Sequence, residues 1–261
     1  MTPQEAQKKR QQMQDDGYCV IDDVLTPDFL DELRCETERL MEDWVRPEEF
    51  KYQGQHVVAH GKDNEVVQRL LDWQPARQVL ATMQYDDFTA QGSVILLTKD
   101  PGEPALYWHQ DWMQWNDPMS LSPWPQVIFL SYYLQDTSVE NGCLKVIPGT
   151  HRKRIDLHDR MVPAHEQGAR FIPADHPVMF SDHPDQVDLP VKAGSLVLAD
   201  ARLLHAAYRN QTDQRRTLVL AWHRRPATVP AYWDGAIPRA IAERAPDAEY
   251  PGSRVPGEYL S

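Results

Sequence analysis

From Val127 to Gly149 the chain reads VIFLSYYLQDTSVENGCLKVIPG. An apolar run, Val127–Leu134, rich in β-branched and aromatic residues, gives way to polar residues and the turn signal Asn141-Gly142. A second run, Leu144–Ile147, follows at once and is closed by Pro148-Gly149. Strand, turn and strand with no helix between them point to antiparallel pairing. The same punctuation extends outward. Ser93–Thr98 and Leu106–His109 precede this stretch; Val187–Val191, Leu196–Ala199 and Thr217–Trp222 follow it. Pro101-Gly102 and Ala193-Gly194 mark further turns. Many short strands without regular intervening helices predict a mainly β fold over residues 91–223, an antiparallel sandwich or jelly roll rather than a parallel βαβ sheet.

Residues 1–90 have a different character and predict a mostly helical layer flanking the β core. Thr2-Pro3 reads as an N-cap with proline at the first helical position, opening a polar helix that stops near Gly17. Tyr18–Leu25 is strand-like. Thr26-Pro27 repeats the start signal, and Phe29, Leu30, Leu33, Leu40, Met41 and Trp44 then recur at helical spacing. A third helical pattern covers 64–83, with Pro75 interrupting or kinking it. Residues 224–261 are rich in Pro and Arg with weak periodicity, and read as a tail, lid or partner-contact segment of one 261-residue domain.

Composition excludes several classes. A net charge of −12 argues against sequence-independent nucleic-acid binding and against docking on anionic lipid. The 3 cysteines are widely spaced and form no CxxC pattern, so neither a disulfide framework nor a zinc knuckle is expected. The N-terminal residues lack an apolar leader and Val127–Leu134 is too short to span a bilayer; the expectation is a cytoplasmic protein without membrane partners. No feature of the sequence fixes an oligomeric state.

The 10 histidines bear on metal chemistry only through their order. In a strand, residues i and i+2 share a face, so His109 and Asp111, following Leu106-Tyr107-Trp108, could aim an imidazole and a carboxylate at one ion. His-x-acid spacing alone is uninformative: chance gives about 1.5 such pairs in this composition, and His183/Asp185 is another. That second pair sits in the polar, Pro-containing SDHPDQ and reads as a solvated loop. A third ligand must come from another strand end. His205, after the apolar run of AGSLVLADARLLHAAYRN, fits a strand, a bend and a return. His223 and His151 compete, but both neighbour several Arg or Lys, a poor place for a divalent cation. Two histidines and a carboxylate would form a facial triad, the arrangement of non-haem Fe(II) oxygenases. Arg215-Arg216 opens the strand after His205, and arginine binds carboxylates bidentately.

Three stretches together resemble the phytanoyl-CoA dioxygenase family of Fe(II)/2-oxoglutarate-dependent oxygenases. Trp108-His109-Gln110-Asp111 is similar to the family's WHxD segment. Glu140 to Arg152, ENGCLKVIPGTHR, is similar to its ENGxLxxxPGSHR turn. Ala193-Gly194-Ser195-Leu196 through His205 to Arg216 is similar to the segment carrying its distal histidine, with an arginine eleven residues on. The resemblance covers about residues 15–225. It implies a double-stranded β-helix (jelly-roll, cupin-like) core, His109, Asp111 and His205 as iron ligands, and Arg216 as partner of the 5-carboxylate of 2-oxoglutarate. It further implies oxidation of a small molecule by O2, with release of succinate and CO2. Asp111 implies hydroxylation or a related oxidation, since halogenating relatives carry Gly or Ala there. Thr98, Ser131 and Tyr133, on candidate strands, are expected to touch the co-substrate.

Trp108, Trp112, Trp115 and Trp124, with Tyr107, crowd the metal motif in sequence. Trp108, Trp112 and Trp115 are therefore expected to wall the substrate site, an apolar or cationic small molecule suiting indole faces. The run His151-Arg152-Lys153-Arg154 offers instead an anion site or a solvated loop. The competing functions are a zinc hydrolase, which would leave Arg216 unexplained, and a non-catalytic cupin-like binding protein.

Overall fold

A computed structural model describes residues 1–42, 44–45, 55–162, 172–173, 175–250 and 252. Its framework is two antiparallel sheets formed by eleven strands among the described residues. The strands are β1 (Tyr18–Ile21), β2 (Gln55–His60), β3 (Thr89–Ala90), β4 (Ser93–Lys99), β5 (Leu106–His109), β6 (Val127–Tyr133), β7 (Leu144–Val146), β8 (Val187–Leu189), β9 (Leu196–Asp200), β10 (His205–Ala207) and β11 (Arg216–Arg224). The major sheet is 7-stranded, in the order β1-β9-β6-β11-β4-β2, with β3 added to β11. The minor sheet is 4-stranded, in the order β5-β10-β7-β8.

Alternation along the strands assigns the two faces of the major sheet. Val94 and Leu96 on β4, Ile128 and Leu130 on β6, and Val219 and Ala221 on β11 join the core shared with the helices. Their neighbours in sequence, Phe129, Tyr133, Leu218 and Leu220, turn to the opposite face and pack against Val146 and Leu189 of the minor sheet. This sandwich is the expected mainly β jelly roll with flanking helices, and every sequence-predicted strand between 93 and 222 is present within one or two residues of its expected bounds.

The helices form for local reasons. In α1 (Pro3–Asp15) the Thr2 hydroxyl accepts from the Glu5 amide while the Glu5 carboxylate accepts from the Thr2 amide, a capping box. α2 (Pro27–Glu42) starts behind Thr26, whose hydroxyl accepts from the Phe29 amide, and buries Phe29, Leu33 and Thr37. The expected helix over 64–83 is two helices, α3 (Glu65–Leu71) and α4 (Gln74–Thr82). Pro75 lies in the first turn of α4, where its missing N–H costs nothing, so the proline starts a helix rather than kinking one.

Three expectations from the sequence are refined. Tyr18–Leu25, read as strand-like, contains β1, and β2, which was not expected, forms the other edge of the major sheet. Residues 224–250, expected to be a tail, lid or partner-contact segment, pack on the body of the fold. Tyr232 packs on the helix-side core, Trp233 and Ile241 of α6 (Arg239–Ala242) pack against Trp124, and Arg225 and Arg244 pair with Asp87 and Asp117. Residues 251 and 253–261 of the expected tail lie outside the described residues. His151 does not open an anion site: it is buried, and its ring nitrogen bonds the Gln14 carbonyl at the end of α1. α5 (Asp156–Arg160) follows, with Asp159 pairing Arg154.

Candidate metal centre and its cavity

His109 ends β5 and His205 opens β10, and the register places the two residues opposite each other. Their rings lie 4.1 Å apart, centroid to centroid. The Nδ1 of His109 lies 2.9 Å from the Tyr107 carbonyl and that of His205 lies 3.0 Å from the Leu203 carbonyl. A carbonyl oxygen can only accept, so each Nδ1 carries the proton and each Nε2 presents a lone pair. Two residues after His109, Asp111 brings Oδ1 within 3.6 Å of the His109 Nε2. One ligand atom from each of the three lies within 4.8 Å of the others. Two imidazole lone pairs and a carboxylate gathered at the wall of a cavity suit a divalent iron. Backbone acceptors behind both imidazoles fix the rings as metal-binding histidines require.

The three residues open onto a cavity of about 100 Å3 between the sheets. Alternate residues of three strands wall it: Ile95, Leu97 and Lys99 of β4, Phe129, Ser131 and Tyr133 of β6, and Arg216, Leu218, Leu220 and Trp222 of β11. Register sets its axis. Trp222 pairs with Phe129 at the metal end, whereas Arg216 pairs with Lys99 at the other. Phe129 stacks 5.1 Å from the His205 ring.

The far end is cationic. Arg216 is buried and donates one N–H to the Gly142 carbonyl at 2.8 Å, and its Nε has no partner among the described residues. Burial lowers its pKa from the usual arginine value, with the nearby Tyr133 opposing this, but a guanidinium stays protonated. Lys99 is buried beside it. Its ammonium donates to the Pro104 and Tyr208 carbonyls at 2.7 and 2.5 Å. Burial first, and then Arg216, hold the Lys99 pKa well below the usual lysine range. The Tyr133 hydroxyl, also without a partner, is pushed up by burial. A buried guanidinium, with an amine and a phenol beside it at one small space, favours an anion there. A dicarboxylate reaching from the metal end would provide it, so the residues present fit both an iron ion and 2-oxoglutarate.

The sequence-predicted residues are not all brought together. His109, Asp111, His205, Arg216, Ser131 and Tyr133 line the cavity. Thr98 borders it too, but shares the β4 parity of Val94 and Leu96, which face the helices. Trp108, Trp112 and Trp115 are absent from the lining, which corrects the expected indole wall. Trp108 packs with Ile147, Leu157 and Leu204 on the outer side of the minor sheet and donates to the Ser181 carbonyl. Trp112 and Trp115 cluster with Val127 and Ala201 behind Trp222. Trp124 is buried under Trp233. Of the aromatic group, Tyr107 does line the cavity. Lys99 and Trp222 were missed by sequence reasoning, although the signal exists: each shares strand parity with a residue already singled out or its register partner. His183 accepts from the Asp185 amide within its polar turn and is remote from this lining, as expected of a solvated loop.

The fold and centre together are those of a jelly-roll protein with a candidate metal site of the facial-triad type. Residues 13–218 match the family described as phytanoyl-CoA dioxygenase (PhyH), and the chain belongs to that family of non-haem iron, 2-oxoglutarate-dependent oxygenases. It is 25% identical over 256 residues to ectoine dioxygenase of Nocardia farcinica (strain IFM 10152), covering 92% of this chain and 82% of that protein. It is 33% identical over 95 residues to phytanoyl-CoA dioxygenase domain-containing protein 1 of Mus musculus, covering 36% of this chain and 32% of that protein. Among solved structures, the epimerase SnoN in complex with Fe3+, alpha ketoglutarate and nogalamycin RO superposes with a TM-score of 0.62 at 18% identity, over 99% of this chain and 98% of that one. Apo EctD from S. alaskensis gives a TM-score of 0.60 at 19% identity, over 87% and 78%. These structural likenesses establish the shared fold. No helix among the described residues is long and apolar enough to cross a membrane.

Proposed function

We propose that this chain hydroxylates, or otherwise oxidises, a small-molecule substrate with O2 and 2-oxoglutarate, releasing succinate and CO2. His109, Asp111 and His205 would hold Fe(II). Arg216 would take the 5-carboxylate of 2-oxoglutarate, with Lys99 and the Tyr133 hydroxyl beside it. The observation that carries this reading is the buried Arg216 guanidinium, with an unpartnered Nε, at the opposite end of the cavity from the three ligands. A zinc hydrolase needs an activated water at such a centre and has no use for that cation.

Bound iron, with its co-substrate and O2, supplies the oxidising chemistry; the chain supplies position, charge and dryness. The carbonyls of Tyr107 and Leu203 hold the two imidazole protons on Nδ1 and so keep both Nε2 atoms as ligands. Arg216, with the Lys99 amine beside it, would draw a carboxylate to the end of the cavity away from the three ligands, because a carboxylate there relieves a desolvated guanidinium. Ile95, Leu97, Phe129, Leu218 and Leu220 keep the middle of the cavity apolar, which strengthens each charge interaction at its ends.

Anaerobic titration of Fe(II) and 2-oxoglutarate into the protein should produce the weak visible charge-transfer band of the chelate, and admission of air should release succinate. Absence of both would remove the oxygenase assignment from this chain.

A further inference from the structure

The geometry points to Trp222 as the residue that positions Asp111 for metal binding. This inference rests on Asp111 being a ligand. Asp111 lies just past the end of β5, in a segment that the minor sheet no longer pins by strand pairing. Its two carboxylate oxygens are in different surroundings. Oδ1 is 3.6 Å from the His109 Nε2, on the metal side. Oδ2 accepts from the Trp222 indole N–H at 3.3 Å. The indole is itself held: Trp112, Trp115, Val127 and Ala201 pack behind it, and the Trp112 amide donates to the Ala201 carbonyl at 2.8 Å. Two residues along the same face of β11, Arg224 donates to the Gln114 side chain at 2.7 Å. Thus alternate residues of β11 clip both ends of residues 111–114 to the major sheet.

A carboxylate is free to present one oxygen or both to an ion. With Oδ2 accepting from the indole N–H, the indole favours presentation of Oδ1, the oxygen 3.6 Å from the His109 Nε2. That preference matters because a chelating co-substrate and O2 together need three open positions, and a carboxylate offering both oxygens would take one of them. The tryptophans at 112 and 115 therefore act at one remove, as the backing that orients Trp222.

Trp222→Phe keeps the ring and deletes the N–H. Metal-free protein is titrated with Co(II), and the visible Co(II) absorption is recorded with and without 2-oxoglutarate. The expected result is an affinity lowered about 10-fold or more, the size typical of losing such a supporting hydrogen bond, together with an altered Co(II) spectrum. An affinity within about twofold of the parent and an unchanged spectrum would overturn the proposal. Trp222→His, which retains a ring N–H, should bind Co(II) more tightly than Trp222→Phe; equal affinities would overturn it even where both variants have lost the same stability. Asp111→Ala separates the two levels of argument. If Asp111→Ala binds Co(II) like the parent, the ligand assignment itself fails; if it loses Co(II) while Trp222→Phe does not, only the role of Trp222 fails.

Discussion

Arg216 spends its charge on very little protein: one backbone carbonyl accepts from it, and among the described residues no carboxylate pairs with it. Arg202 shows the contrast. It is equally buried, yet both oxygens of Asp200 and the carbonyls of Ser120, Ser122 and Trp124 satisfy it. A buried arginine with that many partners is structural, whereas one left short of partners at a cavity wall is built for a ligand. Arg216→Ala should therefore raise the 2-oxoglutarate requirement about 10- to 100-fold, the size of losing charge-assisted hydrogen bonds, while the iron requirement moves far less. Arg216→Lys should recover only part of this, because an ammonium lacks the planar fork. Steady-state KM values for the co-substrate, set beside Fe(II) titrations, check both; equal effects on the two would mean that Arg216 serves the metal end instead. The same contrast explains what was legible at this scale. Arg216 stands out from Arg215 only through the family resemblance, which implies an arginine eleven residues after the distal histidine, and the structure separates them: Arg215 is partly exposed and pairs with Asp100 and Glu38.

Among the elements, the turn from β6 to β7 does more than join strands. Gly142 has φ +91, a Cβ there would meet the Tyr208 carbonyl oxygen at 2.8 Å and the Lys99 Cδ at 3.1 Å, and its own carbonyl is the acceptor for Arg216. Gly149, in the next turn, also has a positive φ of +79, but its Cβ would meet only the Asp15 carbonyl at 3.7 Å. Gly149→Ala should cost about 1–2 kcal/mol of stability for the left-handed backbone alone and leave the 2-oxoglutarate KM unchanged. Gly142→Ala should cost more and raise that KM, because it displaces backbone that touches Lys99 and accepts from Arg216. Urea midpoints and co-substrate KM values for the pair test this; a KM unmoved in Gly142→Ala would show the turn to be scaffold only. β4, β6 and β11 were legible because continuous apolar runs mark strands buried on both faces. β2 was not: Gln55–His60 has just Val57, Val58 and Ala59 as apolar residues, and an edge strand needs little more. The tryptophans misled for a related reason. Nearness to His109 in sequence says nothing of which side of a sheet a loop residue takes, and Trp112 and Trp115 fold behind β11 instead of into the cavity.

At the scale of the whole molecule, some of the histidines line the cavity and others are sealed into the body. The order and spacing of three motifs were enough to place the former, but the latter depend on how distant elements close over them, which no local pattern records. His151 is buried where α1 meets the loop after β7, and His223 lies on the helix-side face of β11. Burial pushes each down to about 4, with Arg202 and Arg152 adding to it for His151 and Arg77 for His223. Both are therefore neutral in the folded chain at pH 7, and each takes up a proton near pH 6.5 once unfolded. Below about pH 6.5 the unfolded state binds more protons than the folded one, so stability falls as the pH is lowered toward 4 and is fully present above 6.5. Each such histidine contributes a slope of about 1.4 kcal/mol per pH unit across that window, so the pair makes the folded state steeply acid-sensitive before most carboxylates are protonated. Urea unfolding at pH 7.0, 6.0 and 5.0 should show this decline. The double variant His151→Gln, His223→Gln should be less stable at pH 7.0, having lost packing and the Gln14 contact, yet show a flatter decline between pH 6.0 and 5.0. A decline as steep as the parent's would mean that the proton uptake in that window belongs to other groups, His158 first, which burial also pushes down to about 4, rather than to His151 and His223.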